Sequence, residues 1–195
     1  LETAADSRNG QPAIRLGLRM VKGLRRDAGG RLVALREAEG LRHLGQIQHR
    51  ARLSRTDLEA LAEAGALKHL AGDRHAARWE VLGVEGTLPL FGDEAIPETA
   101  PDLPVPTEGQ ELVADYSSLG LTLGRHPLAL LRKRLGQLKC RSAAEIQAQK
   151  DRSFVRTAGL VITRQRPGSA SGTVFLTLED ETGYLNCIVW KDTAQ

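Results

Sequence analysis

Two short runs near the end of the chain constrain its fold more than any other feature. Residues 175–180 and 184–190 each alternate apolar with polar or aromatic side chains, and they flank an acidic turn that closes on Gly183. Alternation with a period of two around a glycine turn is typical of a β-hairpin with one buried face. This end of the chain is therefore predicted to form antiparallel sheet.

The first part of the chain follows a helical pattern instead. After a polar lead-in over residues 1–12, which is predicted to be irregular, Leu, Ala and Arg recur at three- and four-residue intervals as far as residue 82. Ser54 and Asp57 have the spacing of a helix N-cap with an acidic first turn. Gly65 is predicted to end that helix.

A proline-rich, acidic segment separates the helical part from the rest. Residues 83–108 contain five prolines and are too long for an ordinary loop, so they are predicted to be a linker. A helical connector is expected over 109–152, and three strands are expected over 153–195. The sequence thus predicts an α+β fold.

Composition limits the function without naming it. The chain has 195 residues, a formal net charge of +3 and a pI of about 9.1, which permits nucleic acid as a partner. Cys140 and Cys187 lie far apart, so we expect neither a disulfide framework nor a zinc site, and a reducing cytoplasm fits best. No membrane-spanning run is present. The first residue is Leu1, which suggests a piece of a longer protein.

Two glycine turns in the helical part are candidate DNA contacts. Residues 21–24 and 64–67 each join two helical patterns through a glycine. Such a hairpin can aim backbone N–H groups and a helix N-terminus at a DNA phosphate, without reading base sequence. Ordinary helix ends with solvated charges are the alternative. The candidate phosphate contacts are Lys22, Gly23, Arg25, Arg26, Gly65 and Lys68.

The predicted sheet offers a second candidate surface. If Leu176 and its alternate neighbours face the core, Phe175 and Tyr184 point outward, together with Thr173. With Arg164 and Arg166 they would form a face that stacks the bases of single-stranded nucleic acid. The alternative is a second core covered by another strand or domain.

The linker contains a short apolar peptide. Leu88, Leu90 and Phe91 lie in an extended acidic segment and could dock into a groove on a partner protein. Alternatively, Phe91 folds back onto the helical part as a hydrophobic anchor.

No catalytic or metal-binding residue is predicted. Glu179, Asp180 and Glu181 are consecutive and point in different directions, so they are predicted to be solvated turn charges rather than a two-metal site. His126 precedes Pro127, a pair suited to the start of a helix.

The residues resemble one family along nearly the whole chain. Residues 14–24 and 58–67 look like the helix-hairpin-helix region that follows the catalytic domain of bacterial C-family DNA polymerases. Residues 119–128 are similar to that family's Leu-Gly and His-Pro-Leu segment, and residues 158–183 resemble the opening of its C-terminal OB domain. The sequences of residues 124–127 and 164–168 are most similar to the error-prone branch of the family.

The resemblance implies both an architecture and a role. Residues 1–82 would be a tandem helix-hairpin-helix region, 83–108 a linker with a clamp-motif-like peptide, 109–152 a helical connector, and 153–195 an incomplete, three-strand OB-fold barrel. The catalytic carboxylates, with their Mg²⁺, would lie upstream, and no cofactor is expected in this piece. Implied partners are primer-template and single-stranded DNA, a Y-family-like adaptor, a RecA-like accessory protein and the sliding clamp, in the bacterial cytoplasm.

Two positions depart from the family pattern. Arg25 stands where the first hairpin usually has glycine, and Thr87 stands where the clamp motif usually has Gln. Two alternatives to a DNA-binding region of an error-prone, translesion polymerase stay open. One is a protein-interaction module of the same complex, and the other is the equivalent region of a replicative polymerase.

Overall fold

The computed structural model describes residues 2–5, 12–83, 101 and 103–193, and the predicted docking peptide with Leu88, Leu90 and Phe91 lies outside them. The chain divides into two compact units, Leu1–Leu123 and Gly124–Gln195, and each is described by itself.

The first unit begins with a strand pair and continues as helices. A 3-10 turn over Leu18–Met20 separates the strands from the helices. The elements are β1 (Glu2–Ala5), β2 (Pro12–Arg15), α1 (Arg26–Glu39), α2 (Leu44–Arg50), α3 (Arg55–Glu63), α4 (Lys68–Ala71), α5 (Arg74–Gly83) and α6 (Glu108–Ser118).

The strand pair corrects the prediction of an irregular lead-in. β1 and β2 are antiparallel, with Glu2 opposite Arg15 and Ala5 opposite Pro12. Proline is tolerated there because it is the first residue of its strand. A four-residue strand with a proline and few apolar residues gives no alternation that sequence reasoning can detect.

The helices of the first unit enclose one apolar core. Ile47, Leu58 and Leu61 are fully buried, and Ala77 and Val81 of α5 join them. The predicted cap of α3 is confirmed. The Ser54 side chain accepts a hydrogen bond from the Asp57 backbone N–H, and the Asp57 side chain accepts one from the Ser54 N–H.

The second unit combines two helices with an open sheet. Its elements are α7 (Pro127–Gln137), α8 (Ala143–Gln147), β3 (Leu160–Gln165), β4 (Val174–Asp180) and β5 (Gly183–Val189). The strands form an antiparallel sheet in the order β3-β4-β5, with a register shift between Val161 and Thr163. The predicted hairpin and the α+β class are confirmed. His126 caps α7 ahead of Pro127, as its sequence predicts.

The acidic turn of the hairpin differs from its prediction. Asp180 is not a solvated charge, because its side chain is only 2% exposed and lies 3.0 Å from Arg132 Nη2 of α7. Its Oδ2 also accepts a hydrogen bond of 2.8 Å from the Ala143 N–H at the start of α8. Glu181 pairs with Arg132 Nε at 2.5 Å. The turn carboxylates therefore fasten both helices to the sheet.

No helix among the described residues is long and apolar enough to cross a membrane. Of the helices in residues 109–152, α6 lies in the first unit, while α7 and α8 lie in the second.

Candidate nucleic-acid interface

The first glycine turn lies between the 3-10 turn and α1. Gly23 has a φ of +84°, a left-handed conformation that glycine adopts without the steric cost that a side chain brings. Lys22 and Gly23 form the tip of this turn, and α1 begins at Arg26. The turn therefore has the glycine conformation that the sequence predicts, but a 3-10 turn of three residues rather than a helix precedes it.

Lys22 already has partners at the C-terminal end of α6. Its backbone N–H donates to the carbonyl oxygen of Ser118 at 2.9 Å. Its Nζ donates to the carbonyl oxygens of Ser117 at 2.8 Å and Tyr116 at 3.3 Å. Because the last carbonyls of a helix carry partial negative charge, a lysine stabilises them.

The two arginines beside the first turn differ in their surroundings. Arg25 forms a two-armed pair with Asp57, with Nη2 to Oδ2 at 2.7 Å and Nε to Oδ1 at 3.2 Å. The Arg25 guanidinium holds the pKa of Asp57 well below its usual range. Arg26 is exposed and has no hydrogen-bond or ion-pair partner among the described side chains. Of the two arginines predicted at the first turn, Arg26 is therefore the one that is more available to a ligand.

The second glycine turn joins α3 to α4. Gly65 has a φ of +67°, and the N–H of Ala66 donates to the carbonyl of Leu61 at 2.9 Å, which closes the end of α3. A side chain at position 65 would approach Lys68 Cε within 2.8 Å and Arg74 Nη2 within 2.9 Å. The side chains of Lys68 and Arg74 thus lie close to the backbone of Gly65, where there is no side chain.

Both of these cations pair with carboxylates of α6. Lys68 forms an ion pair with Glu111. Arg74, whose side chain is only 4% exposed, reaches Asp115 at 2.5 Å and Glu111 at 3.2 Å through Nη2. Burial alone would raise the pKa of Asp115, but hydrogen bonds from Arg74 and Thr122 lower it below its usual range. Asp115 is therefore charged at neutral pH.

These residues define one surface, which we call the hairpin face: Lys22, Gly23, Gly65, Lys68 and Arg74. Sequence reasoning identified all of them except Arg74. It did not identify α6 as the element that covers the face. The three acidic residues Glu108, Glu111 and Asp115, with no basic residue in α6, are the signal that indicates a basic partner for this helix.

The sheet of the second unit presents two aromatic side chains on one face. Phe175 pairs with Ile188 across β4 and β5, and Tyr184 pairs with Glu179, so all four share that face. Phe175 is 39% exposed and Tyr184 is 57% exposed. The predicted placement of the two aromatics on one accessible face is confirmed.

The arginines predicted beside them lie differently. Arg164 is paired with Leu176, so it belongs to the opposite face from Phe175. Arg166 follows the last residue of β3 and lies outside the strand. Thr173, predicted to point outward, is buried at 7% exposure where the chain enters β4. The aromatic face therefore has no arginine from β3 within it.

Comparisons with known proteins assign part of this chain to a known motif. The family model for the helix-hairpin-helix motif matches residues 2–77, which include both glycine turns. A protein of Alkalilimnicola ehrlichii named error-prone DNA polymerase is 57% identical over 187 residues, or 96% of this chain. The chain is homologous to error-prone DNA polymerases.

Further error-prone DNA polymerases give the same result. The protein of Pseudomonas aeruginosa is 50% identical over 95% of the chain, and that of Aromatoleum aromaticum is 50% identical over all of it. The chain spans about 18% of the length of these error-prone polymerases. The similarity therefore concerns one part of a much longer protein.

Proposed function

We propose that this chain is a non-catalytic DNA-binding and partner-docking region of an error-prone DNA polymerase that acts in translesion synthesis. Similarity to proteins of that name over nearly the whole chain carries the proposal. The matched helix-hairpin-helix motif supports a DNA-binding role. Nucleotide transfer, with the Mg²⁺ that it needs, belongs to another part of such a polymerase.

Duplex binding follows from the two hairpins. The turn of each hairpin contains a glycine with a positive φ, Gly23 or Gly65. Arg26 lies beside the first turn, at the start of α1. A helix N-terminus flanked by cations binds phosphate through backbone N–H groups and the helix dipole. Since phosphates are the same at every base pair, binding would be independent of sequence and strongly salt-dependent.

We expect Arg26→Glu to weaken duplex binding by about tenfold at 50 mM salt and to reduce the salt slope by about one. The substitution puts a negative charge where a phosphate would approach. Binding of a labelled primer-template should be measured by fluorescence anisotropy between about 50 and 200 mM salt. The matched control is Arg42→Glu, because Arg42 is also exposed and lies beyond the C-terminal end of α1, the end opposite the first turn.

The outcomes separate the competing functions. An equal loss in both variants would mean that only total charge matters, and the hairpin would not be a specific contact. A chain that binds neither duplex nor single strands at low salt would favour the protein-interaction module.

We further propose that the open sheet is part of an OB-fold barrel that stacks single-stranded DNA on Phe175 and Tyr184. Stacking on an aromatic ring contributes about 1–3 kcal/mol per base. Phe175→Ala should therefore weaken binding of a labelled oligonucleotide about tenfold. Phe154→Ala is the matched control, since Phe154 is fully exposed in the same unit but lies before β3. Equal effects of the two changes would remove the sheet face from the proposal.

Partner docking completes the proposal. Leu88, Leu90 and Phe91 are the residues that we propose to bind the sliding clamp or the Y-family-like adaptor, with a RecA-like accessory protein in the same complex. Co-elution with each purified partner, with and without alanine at Leu90 and Phe91, tests this docking. Unchanged co-elution of the alanine variant would exclude the peptide.

A further inference from the structure

Helix α6 covers the hairpin face in a way that imitates a nucleic acid. Two of its three carboxylates, Glu111 and Asp115, meet Lys68 and Arg74 beside the second turn. Its last carbonyl oxygens accept the N–H and the Nζ of Lys22 at the first turn. Both turns of the motif are thus engaged by one acidic helix.

The chemistry of these contacts is that of a phosphate backbone. A carboxylate presents anionic oxygens to lysine and arginine as a phosphate does, through short charge-assisted hydrogen bonds. The exposed C-terminal carbonyls of a helix add partial negative charge. The eleven residues of α6 extend about 16 Å, enough to reach from one turn to the other.

Polar contacts hold α6 in place more than apolar burial does. The only buried residues of α6 are Asp115 and Ser118, while Val113 is 66% exposed and Tyr116 is 39% exposed. The Lys68–Glu111 pair is partly open to solvent, so it is screened by salt and can be exchanged for a pair with another anion, whereas the Arg74–Asp115 pair is buried and becomes accessible only when α6 leaves. A polyanion could therefore replace this helix without exposing a large apolar surface.

We propose that α6 is an internal competitor for DNA phosphate, which occupies the hairpin face in the unbound chain and is displaced when duplex DNA binds. The inference rests on the proposed function, since it names the regulation of the same surface. It also assigns Arg74 as a phosphate contact beside Lys68. Apparent DNA affinity is then reduced by the fraction of chains in which α6 is docked.

Hydrogen exchange of the whole chain tests the displacement directly. Saturating duplex DNA should speed the exchange of the α6 amides several-fold, because the helix loses its partners on the hairpin face. Amides of α1 and α3 should be protected or unchanged. Unchanged or slower exchange in α6 when DNA is bound would overturn the proposal, because it would show that α6 stays docked.

A charge-neutral substitution gives the second measurement. Glu111→Gln removes the carboxylate that pairs with Lys68 and one of the two that pair with Arg74, while keeping the side-chain shape, so duplex DNA should bind about threefold to tenfold more tightly. Glu37→Gln is the matched control, because it removes the same charge from an exposed position on α1. It should change affinity by less than about twofold.

The outcomes also distinguish this inference from the proposed function. If wild type binds DNA and Glu111→Gln binds no more tightly than Glu37→Gln, α6 is not a competitor, although the DNA role stands. Weaker binding by Glu111→Gln would likewise overturn the inference, because α6 would then help to build the surface. If only Glu111→Gln binds, both are supported, and if no variant binds, both fail.

Discussion

Replacing Asp57 with asparagine is expected to lower the free energy of unfolding of the first unit by about 2–4 kcal/mol. The Asp57 side chain is only 1% exposed and accepts hydrogen bonds from Ser54 as well as both arms of Arg25. The side-chain amide of asparagine would place its own N–H groups opposite the hydrogen-bond donors of Ser54 and Arg25. Urea unfolding followed by circular dichroism measures the change.

Asp27 provides the matched control for this substitution. It also pairs with an arginine, Arg31, but its side chain is 63% exposed and the pair lies along one helix. Asp27→Asn should leave the unfolding midpoint nearly unchanged, because solvent already screens the pair. An equally small effect of Asp57→Asn would mean that the capping box and the Arg25 pair contribute no net stability.

Protonation of Asp57 should make the stability of the wild type fall at low pH. The pKa of Asp57 is held well below its usual range by Arg25 and by Ser54, and an unfolded aspartate titrates near 3.9. The stabilisation is therefore complete above about pH 5 and is lost as the pH falls below about 4. The difference in free energy of unfolding between wild type and Asp57→Asn should therefore shrink as the pH falls below about 4.

The hairpin of the second unit was predictable because its pattern is local. Alternation along β4 and β5 places Phe175 and Tyr184 on one face, and the pairs across the two strands confirm it. β3 was harder, since Leu160, Val161 and Ile162 are all apolar and do not alternate. Its register on β4, which puts Arg164 opposite Leu176, depends on a partner strand and a bulge rather than on its own sequence.

The two glycine turns of the first unit were predictable for the same reason, but the helix that covers them was not. A turn needs only a glycine and its immediate neighbours to be recognised. The pairing of Lys68 with Glu111 joins positions 43 residues apart, and that of Arg74 with Asp115 joins positions 41 apart. Nothing in the local sequence of Arg74 distinguishes it from the many arginines that remain in solvent.

The strongest expected effect in the second unit comes from Arg132. Arg132→Met should lower the free energy of unfolding of this unit by about 2–4 kcal/mol, because it leaves Asp180 buried without its cation. The pKa of Glu181 is lowered by Arg132, so that carboxylate is also charged and would repel Asp180 once the arginine is gone. Protection of the β4 and β5 amides from hydrogen exchange reports the loss for this unit alone.

Arg134→Met is the control that distinguishes loss of the Arg132 ion pairs from loss of any arginine on α7. Arg134 lies on the same helix, is exposed, and has no ion-pair partner among the described residues, so its loss should leave the exchange of β4 and β5 unchanged. If both variants exchange alike, Arg132 does not hold the turn. If only Arg132→Met speeds exchange in β4 and β5, α7 holds the acidic turn in place through Arg132. The geometry of the aromatic face then depends on a positive charge that the sequence of the turn does not reveal.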